Sequence, residues 1–315
     1  MEVIELHHPY KQDQIPTGEV VLVLGFFDGV HRGHQEVIKR GREAAEKKGL
    51  KLAVMTFNQH PSIVFKKIDP QTMTYLTTVE QKSQHMEDLG VDILYVVEFT
   101  SAFASLSPDE FVDQYMLGLH ADTVVAGFDY TYGPRDIATM TNLPKYTNGR
   151  LEIISVPKQT EADTKISSTA IRDLMEAGEM ERVSEFLGYP YTMEGTVVHG
   201  DARGRTLGFP TANIKVPGMS RMPRTGVYAV KIQVAGKWYS GMAQIGRNIT
   251  FEANRDVTVE VNILDFSQDI YGEQVAVEWH HYLRDEIKFD GIEGLVAQLK
   301  QDQVDTETYF SEREA

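Results

Sequence analysis

Two histidines stand three residues apart in GFFDGVHRGHQEVI, directly after the apolar run VVLVLG. His31 and His34 flank Gly33 where an amphipathic stretch begins, so the spacing predicts a strand, a glycine-bearing turn and a helix start. The first turn of a helix has unpaired N–H groups and the positive end of the dipole, which suits a phosphate. Two imidazoles can add donors to the same oxygens, and the glycine allows close approach. On these residues alone, a pair of histidines capping a turn explains the pattern equally well.

A second helix start, KISSTAIRDLM, carries Ser167, Ser168 and Thr169, with Arg172 one turn on. Hydroxyls in that position cap a helix or meet an anion. Further along, GTVVHGDARGRTLGFPTANI brings Gly200, Gly204 and Gly208 before Pro210, Thr211 and Asn213. Glycines let backbone donors approach phosphates, and a hydroxyl and an amide oxygen two residues apart on an extended segment face one hard cation. A glycine-rich hairpin with Thr and Asn as turn residues is the plainer alternative, and the spacing is not a Walker pattern. In VEVNILDF, Glu260 and Asn262 share one face of a strand, opposite Val259 and Val261. Such a glutamate is either a base or a solvent-facing side chain.

The elements that must position these groups change character along the chain. Apolar runs at 20–25, 52–57, 93–99, 122–128 and 151–156 alternate with helical patterns at 34–48 and 79–89 and a helix announced by Ser107, Pro108 and Glu110. Near-continuous apolar strands between helices indicate an α/β domain with a parallel sheet covered on both faces. After Tyr189 the segments are β-rich, with a turn at Ala235, Gly236 and Lys237, and antiparallel pairing follows. Only 291–310 is helical again. A helix ends in LGYPY, where Pro190 prevents its continuation, which places a domain boundary at 187–191 and divides the chain into 1–187 and 188–315.

A length of 315 residues agrees with two cores. A net charge of −15 disfavours a nucleic-acid or anionic-membrane binder. Between 199 and 224, however, five basic residues face one acidic one, so a small polyanion remains compatible. With no cysteine there is no thiolate site or disulfide, in keeping with a reducing, cytoplasmic compartment, and no segment reaches the ~18 apolar residues of a membrane helix. His280 and His281 are adjacent on a predicted strand and so point to opposite faces, and His7 and His8 lack a partner set; no zinc site is expected.

Taken in order, GFFDGVHRGH, GFDYTYG, ISSTAIR and GRTLGFPTAN closely resemble the prokaryotic bifunctional riboflavin kinase and FMN adenylyltransferase family, or FAD synthetases, over nearly the whole chain. The resemblance implies a Rossmann-like nucleotidyltransferase domain followed by an all-β flavokinase-type barrel with a C-terminal helix. Riboflavin and ATP would give FMN in the second, and FMN and ATP would give FAD and pyrophosphate in the first, with Mg²⁺ required. His31 and His34 would hold the ATP phosphates, with Gly25, Phe27, Asp28, Gly33, Ser168, Thr169 and Arg172 around them, and Phe57, His60 and Asp129 beside the nucleotide and flavin cleft. In the barrel, Gly200, Gly204, Arg205, Gly208 and Pro210 would meet the phosphates, Thr211 and Asn213 the metal, Glu260 the ribityl hydroxyl, and Arg284 a flavin-side loop. An ion pair of Arg284 with Asp285 or Glu286 is the alternative. Departures from the family pattern fall at Gln59 and Ile249, where proline is usual, at Asn262, where histidine is common, and at 134–140; they bear on substrate affinity and relative activity. Two other readings are retention of one activity only, and a non-catalytic flavin-sensing protein on the same scaffold.

Overall fold

The computed structural model describes residues 1–315 except 67, 70, 71, 162, 163, 201, 202, 247–257 and 315. The chain divides into two compact units, Met1–Ser168 and Thr169–Ala315.

In the first unit, six strands form one sheet: β1 (Glu2–Leu6), β2 (Val20–Leu24), β3 (Lys51–Phe57), β4 (Ile93–Val97), β5 (Ala121–Gly127) and β6 (Glu152–Val156). Their order is β1-β4-β3-β2-β5-β6, and every neighbouring pair is parallel. Helices α1 (Arg32–Lys48), α2 (Ser62–Lys66), α3 (Val79–Asp88), α4 (Ser101–Ala104), α5 (Pro108–Phe111) and α6 (Leu143–Thr147) connect them, and a two-stranded hairpin, β7 (Thr160–Glu161) and β8 (Thr164–Lys165), follows β6. Every residue of β2 is buried; Leu22 and Leu24 pack into one apolar cluster and Val21 and Val23 into the other. That two-sided burial is why the strand reads as an unbroken apolar run. Ser107 and Glu110 form the expected capping box, but α5 gives way after one turn to a π-helix at Val112–Leu117. The chain proceeds from β2 to β3 and β4 on one side, then resumes on the other side of β2 with β5 and β6. The direction of winding reverses at β2, and in open α/β sheets the ligand crevice lies beyond the carboxyl ends of the strands at such a point. Gly25 is the first residue past that end.

The second unit begins within α7 (Ser168–Ala177), continues through α8 (Met180–Leu187), and closes a six-stranded antiparallel barrel. Its strands are β9 (Tyr191–Val198), β10 (Ala212–Lys215), β11 (Gly226–Val234), β12 (Lys237–Gly246), β13 (Thr258–Ile263) and β14 (Gln274–Arg284), in the order β10-β13-β12-β11-β14-β9 with β9 pairing back to β10. A short helix, α9 (Arg203–Thr206), lies between β9 and β10, and α10 (Ile292–Glu314) packs outside β11, β12 and β14. The β11–β12 turn places Ala235 and Gly236 at φ 48° and 79°, the paired left-handed conformation of a two-residue hairpin. Gly188, at φ 85°, caps α8 just before Pro190. Both α7 and α8 belong with the barrel by contact: Arg221 pairs with Glu176 of α7, and α8 lies on β9 and β14.

The expectation for His280 and His281 fails. Ala229 pairs with His281 and Val230 with Trp279, so His280 is the extra residue of a β-bulge, and a bulge cancels the alternation of faces. Both rings meet α10: His280 lies 5.3 Å edge-on to Phe310, and His281 stacks on Tyr309 at 4.8 Å. His280 contacts Glu278 at 3.1 Å and His281 contacts Glu181. Among the described residues, no group of three His, Asp or Glu side chains is arranged to hold a metal ion.

Candidate active sites

Past β2 the backbone turns sharply, with Phe27 at φ 55°, Gly29 at 80° and Val30 at 35°. Three left-handed residues within four are costly unless the surroundings fix them. Phe27 and Val30 are fully packed, a Cβ on Gly25 would lie 2.5 Å from the Phe27 ring, and the Asp28 carboxylate accepts the N–H of Leu76 at 2.8 Å. Gly29 N–H donates to Thr77 Oγ1 at 3.0 Å, and Ser168 Oγ donates to the Asp28 carbonyl at 2.9 Å. Asp28 thus stands behind the turn as a clamp on the segment ahead of α3, and Ser168, the last residue of the first unit, holds the same turn.

His31 is the N-cap of α1, and its Nδ1 accepts the His34 N–H at 3.2 Å. A ring accepting at Nδ1 carries its proton on Nε2, which is then free to donate. The two rings stack with centroids 3.5 Å apart, and Phe27 closes edge-on over His34 at 5.2 Å. Burial lowers His31 to about 4, with Lys165 adding to the fall and Asp129 opposing it. His34 is held well below the ordinary imidazole value by burial, then by His31 and Lys82. Both imidazoles are therefore neutral at pH 7. Asp129, just past β5, pairs with Lys165 at 2.6 Å, and that ammonium also lies over the Phe128 ring.

The remaining residues predicted for this cleft divide. His60 packs edge-on to Phe26 at 5.1 Å, and its N–H donates to Tyr75 OH at 3.0 Å, which brings it to the end of β2. Phe57 is 5% exposed and lies edge-on to Phe99 at 5.1 Å, so its ring belongs to the core. Thr169 and Arg172 follow Ser168 on α7 and fall in the second unit. Sequence reasoning missed Thr56, Thr77 and Lys82, which bond the backbone at Phe26 and Gly29. The available signal was a lysine in the apolar stripe of α3, between Val79 and Met86.

In the barrel, Thr211 Oγ1 donates to Glu260 Oε2 at 3.3 Å. Asn213 is the cross-strand partner of Glu260, so the structure brings Thr211, Asn213 and Glu260 together. The shared face also brings Asn262 there, and its Nδ2 donates to the Pro210 carbonyl at 2.7 Å. A Cβ on Gly204 would strike the Phe209 carbonyl, so that glycine is required by close approach, and one on Gly200 would displace the Asn213 amide. Gly208 has φ 83° at the end of the turn that follows α9. Two cavities flank β10: one of about 470 Å³ includes Gly200, Asn213 and Glu260, the other, of about 320 Å³, Arg205, Pro210 and Thr211. Arg284 is not paired with the carboxylates of its neighbours. Its guanidinium forms a two-bonded pair with Asp302 of α10, at 2.8 and 2.7 Å, and donates to the Asp285 carbonyl at 3.0 Å.

Two family models match the chain, FAD synthetase over residues 13–170 and riboflavin kinase over residues 187–310. A Listeria monocytogenes protein named bifunctional riboflavin kinase/FMN adenylyltransferase is 52% identical over 314 residues, covering 100% of both chains. The chain belongs to the bifunctional riboflavin kinase/FMN adenylyltransferase family. A Bacillus subtilis protein of the same name is 44% identical over 99% of both chains. A crystal structure described as a macrolide-efflux protein from Streptococcus pneumoniae superposes with a TM-score of 0.88 at 40% identity, covering 96% of this chain and 99% of that one. Among the described residues, no helix is long and apolar enough to cross a membrane.

In this member of the family, the departures from the family pattern have partners of their own. Gln59 Nε2 donates to the Phe99 carbonyl at 2.9 Å while Asn58 Oδ1 accepts the Phe99 N–H, so two amides tie the loop after β3 to the one after β4. Residues 134–140 fold back on Tyr132, whose N–H donates to the Ala138 carbonyl. Asn262 secures Pro210, and Ile249 lies outside the described residues.

Proposed function

We propose that residues 188–315 phosphorylate riboflavin with ATP and that residues 1–187 transfer AMP from a second ATP to the FMN so formed, releasing pyrophosphate. The observation that carries this reading is that the FAD synthetase match covers most of the first unit and the riboflavin kinase match lies within the second. In adenylylation an FMN phosphate oxygen attacks the α-phosphorus while the bond to the bridging oxygen breaks. Negative charge grows on the departing pyrophosphate, and the Nε2–H of His31 and the positive end of the α1 dipole are placed beforehand to meet it. Neutral, preset imidazoles suit that task, since positioning and charge stabilisation supply most of the catalysis in phosphoryl chemistry.

In phosphorylation the ribityl hydroxyl attacks the γ-phosphorus while its bond to the β,γ-bridging oxygen breaks and ADP leaves, and Glu260 takes up the hydroxyl proton. Mg²⁺ would enter with ATP and be held by the Thr211 hydroxyl and the Asn213 amide oxygen. The donors fit: both are neutral hard oxygens, and the missing Cβ of Gly200 leaves room at the Asn213 amide. When bound, the ion would offset phosphate charge. A cytoplasmic location belongs to the same proposal and rests on the absence of cysteine.

Incubation of the purified protein with riboflavin, ATP and Mg²⁺, followed by separation of the flavins, tests the reading. FMN and FAD should both form; FMN alone limits the protein to the kinase, and neither product leaves a flavin-sensing role. His31→Ala should suppress FAD and spare FMN, and Glu260→Gln should suppress FMN formation while FAD still forms from supplied FMN. Equal loss of both reactions in either variant contradicts the two-site assignment.

A further inference from the structure

Lys82 is 2% exposed, although lysine is almost never buried without dedicated partners. Its Nζ donates to the Phe26 carbonyl at 2.8 Å and to Thr56 Oγ1 at 3.2 Å, reaches the Phe57 carbonyl at 3.5 Å, and lies 4.5 Å above the Phe26 ring. Thr56 Oγ1 donates to the same Phe26 carbonyl at 2.8 Å, so that oxygen receives two hydrogen bonds. Burial brings the ammonium down to about 8, with Asp28 opposing the fall, and it stays largely charged at pH 7. Its charge in turn acts on His34. The segment that leads into α3 grips the turn at two further points, Asp28 and Gly29. The strained turn is therefore held from behind by one short stretch of chain, and Lys82 brings a cation to the Phe26 carbonyl beside the neutral hydroxyl of Thr56.

We propose that Lys82 is a positioning residue for adenylyl transfer: it fixes the Phe26 carbonyl, presets the turn at 27–31 that presents the start of α1, and sets a buried positive charge behind the site where the ATP phosphates arrive. This rests on the adenylylation reading above. A methylene chain ending in a methyl group fills the same space but restores neither the hydrogen bonds nor the charge.

The chain has no cysteine, so Lys82→Cys introduces a single thiol. Alkylation with 2-bromoethylamine in urea, then refolding, returns an ammonium on a side chain of nearly the original length; wild-type protein carried through the same cycle is the control. FAD formation from FMN and FMN formation from riboflavin are both measured. Lys82→Met and unmodified Lys82→Cys should lose at least tenfold in kcat/KM for FAD formation with a raised KM for ATP, and riboflavin phosphorylation should stay within about twofold. Aminoethylation should restore at least half of the adenylylation rate. Adenylylation unchanged in Lys82→Met, or a loss that aminoethylation leaves in place, overturns the inference. Wild-type protein that makes no FAD from FMN overturns the adenylylation reading itself.

Discussion

Two neutral, buried imidazoles make the first unit sensitive to acid in a way that can be calculated. Folded, His31 takes a proton near 4; unfolded, near 6.5. Between those values the unfolded chain binds more protons, so this contribution to stability is complete above pH 6.5 and is lost as the pH falls toward 4. From pH 7 to pH 5 the loss from His31 alone is roughly 2 kcal/mol, and His34 acts in the same direction. His31→Asn removes the titration but keeps a side-chain oxygen that can cap α1. Urea unfolding followed by far-UV circular dichroism at the two pH values measures the difference. Trp238 and Trp279, the two tryptophans of the chain, lie on β12 and β14, so their fluorescence follows the barrel separately. Wild type should lose about 2 kcal/mol more than His31→Asn on going to pH 5, in the transition that fluorescence does not report. Equal losses in the two proteins would refute the assignment of His31 as a buried neutral group.

Gly200→Ala should cut FMN formation at least tenfold and leave FAD formation from FMN unchanged, because the new methyl collides with the Asn213 amide. Asp302→Ala strands the Arg284 guanidinium beside a carboxylate position that is 1% exposed, and should cost about 3–5 kcal/mol in barrel stability by urea titration of tryptophan fluorescence. Asn262→Ala frees the Pro210 carbonyl and should cost about 1–2 kcal/mol, with a higher KM for ATP in FMN formation; an unchanged KM would detach Asn262 from the phosphate loop.

How far residues announce their own position depends on whether their partners are local. Val20–Leu24 shows two-sided burial in its own composition, and the helix expected from about His34 begins two residues earlier, at Arg32, because His31 caps it. Thr211 with Asn213, and Glu260 with Asn262, could each be placed on one face because side chains alternate along a strand, whereas the pairing of Asn213 with Glu260 comes from the β10–β13 register. β1 lies at the sheet edge with only Leu6 buried, and its sequence EVIEL neither runs continuously apolar nor alternates strictly, so no strand pattern announces it. His280 departs from alternation because the register shift arises in pairing with β11, and Arg284 finds Asp302 eighteen residues away on another element. Neither partner is visible from the local sequence. Lys82 lies between these cases: its helix was legible, its polar head was not.

β10 is four residues long and pairs through only three positions with each neighbour, Ala212–Ile214 on β13 and Asn213–Lys215 on β9. It is the seam that turns an open five-stranded sheet into a closed one, and opening it would bare two strand edges able to join those of other chains. Nucleotide that engages Thr211 and Asn213 would latch this seam, so the protein's resistance to aggregation should rise with the ATP supply, and its amide exchange should be fastest where phosphate is handled.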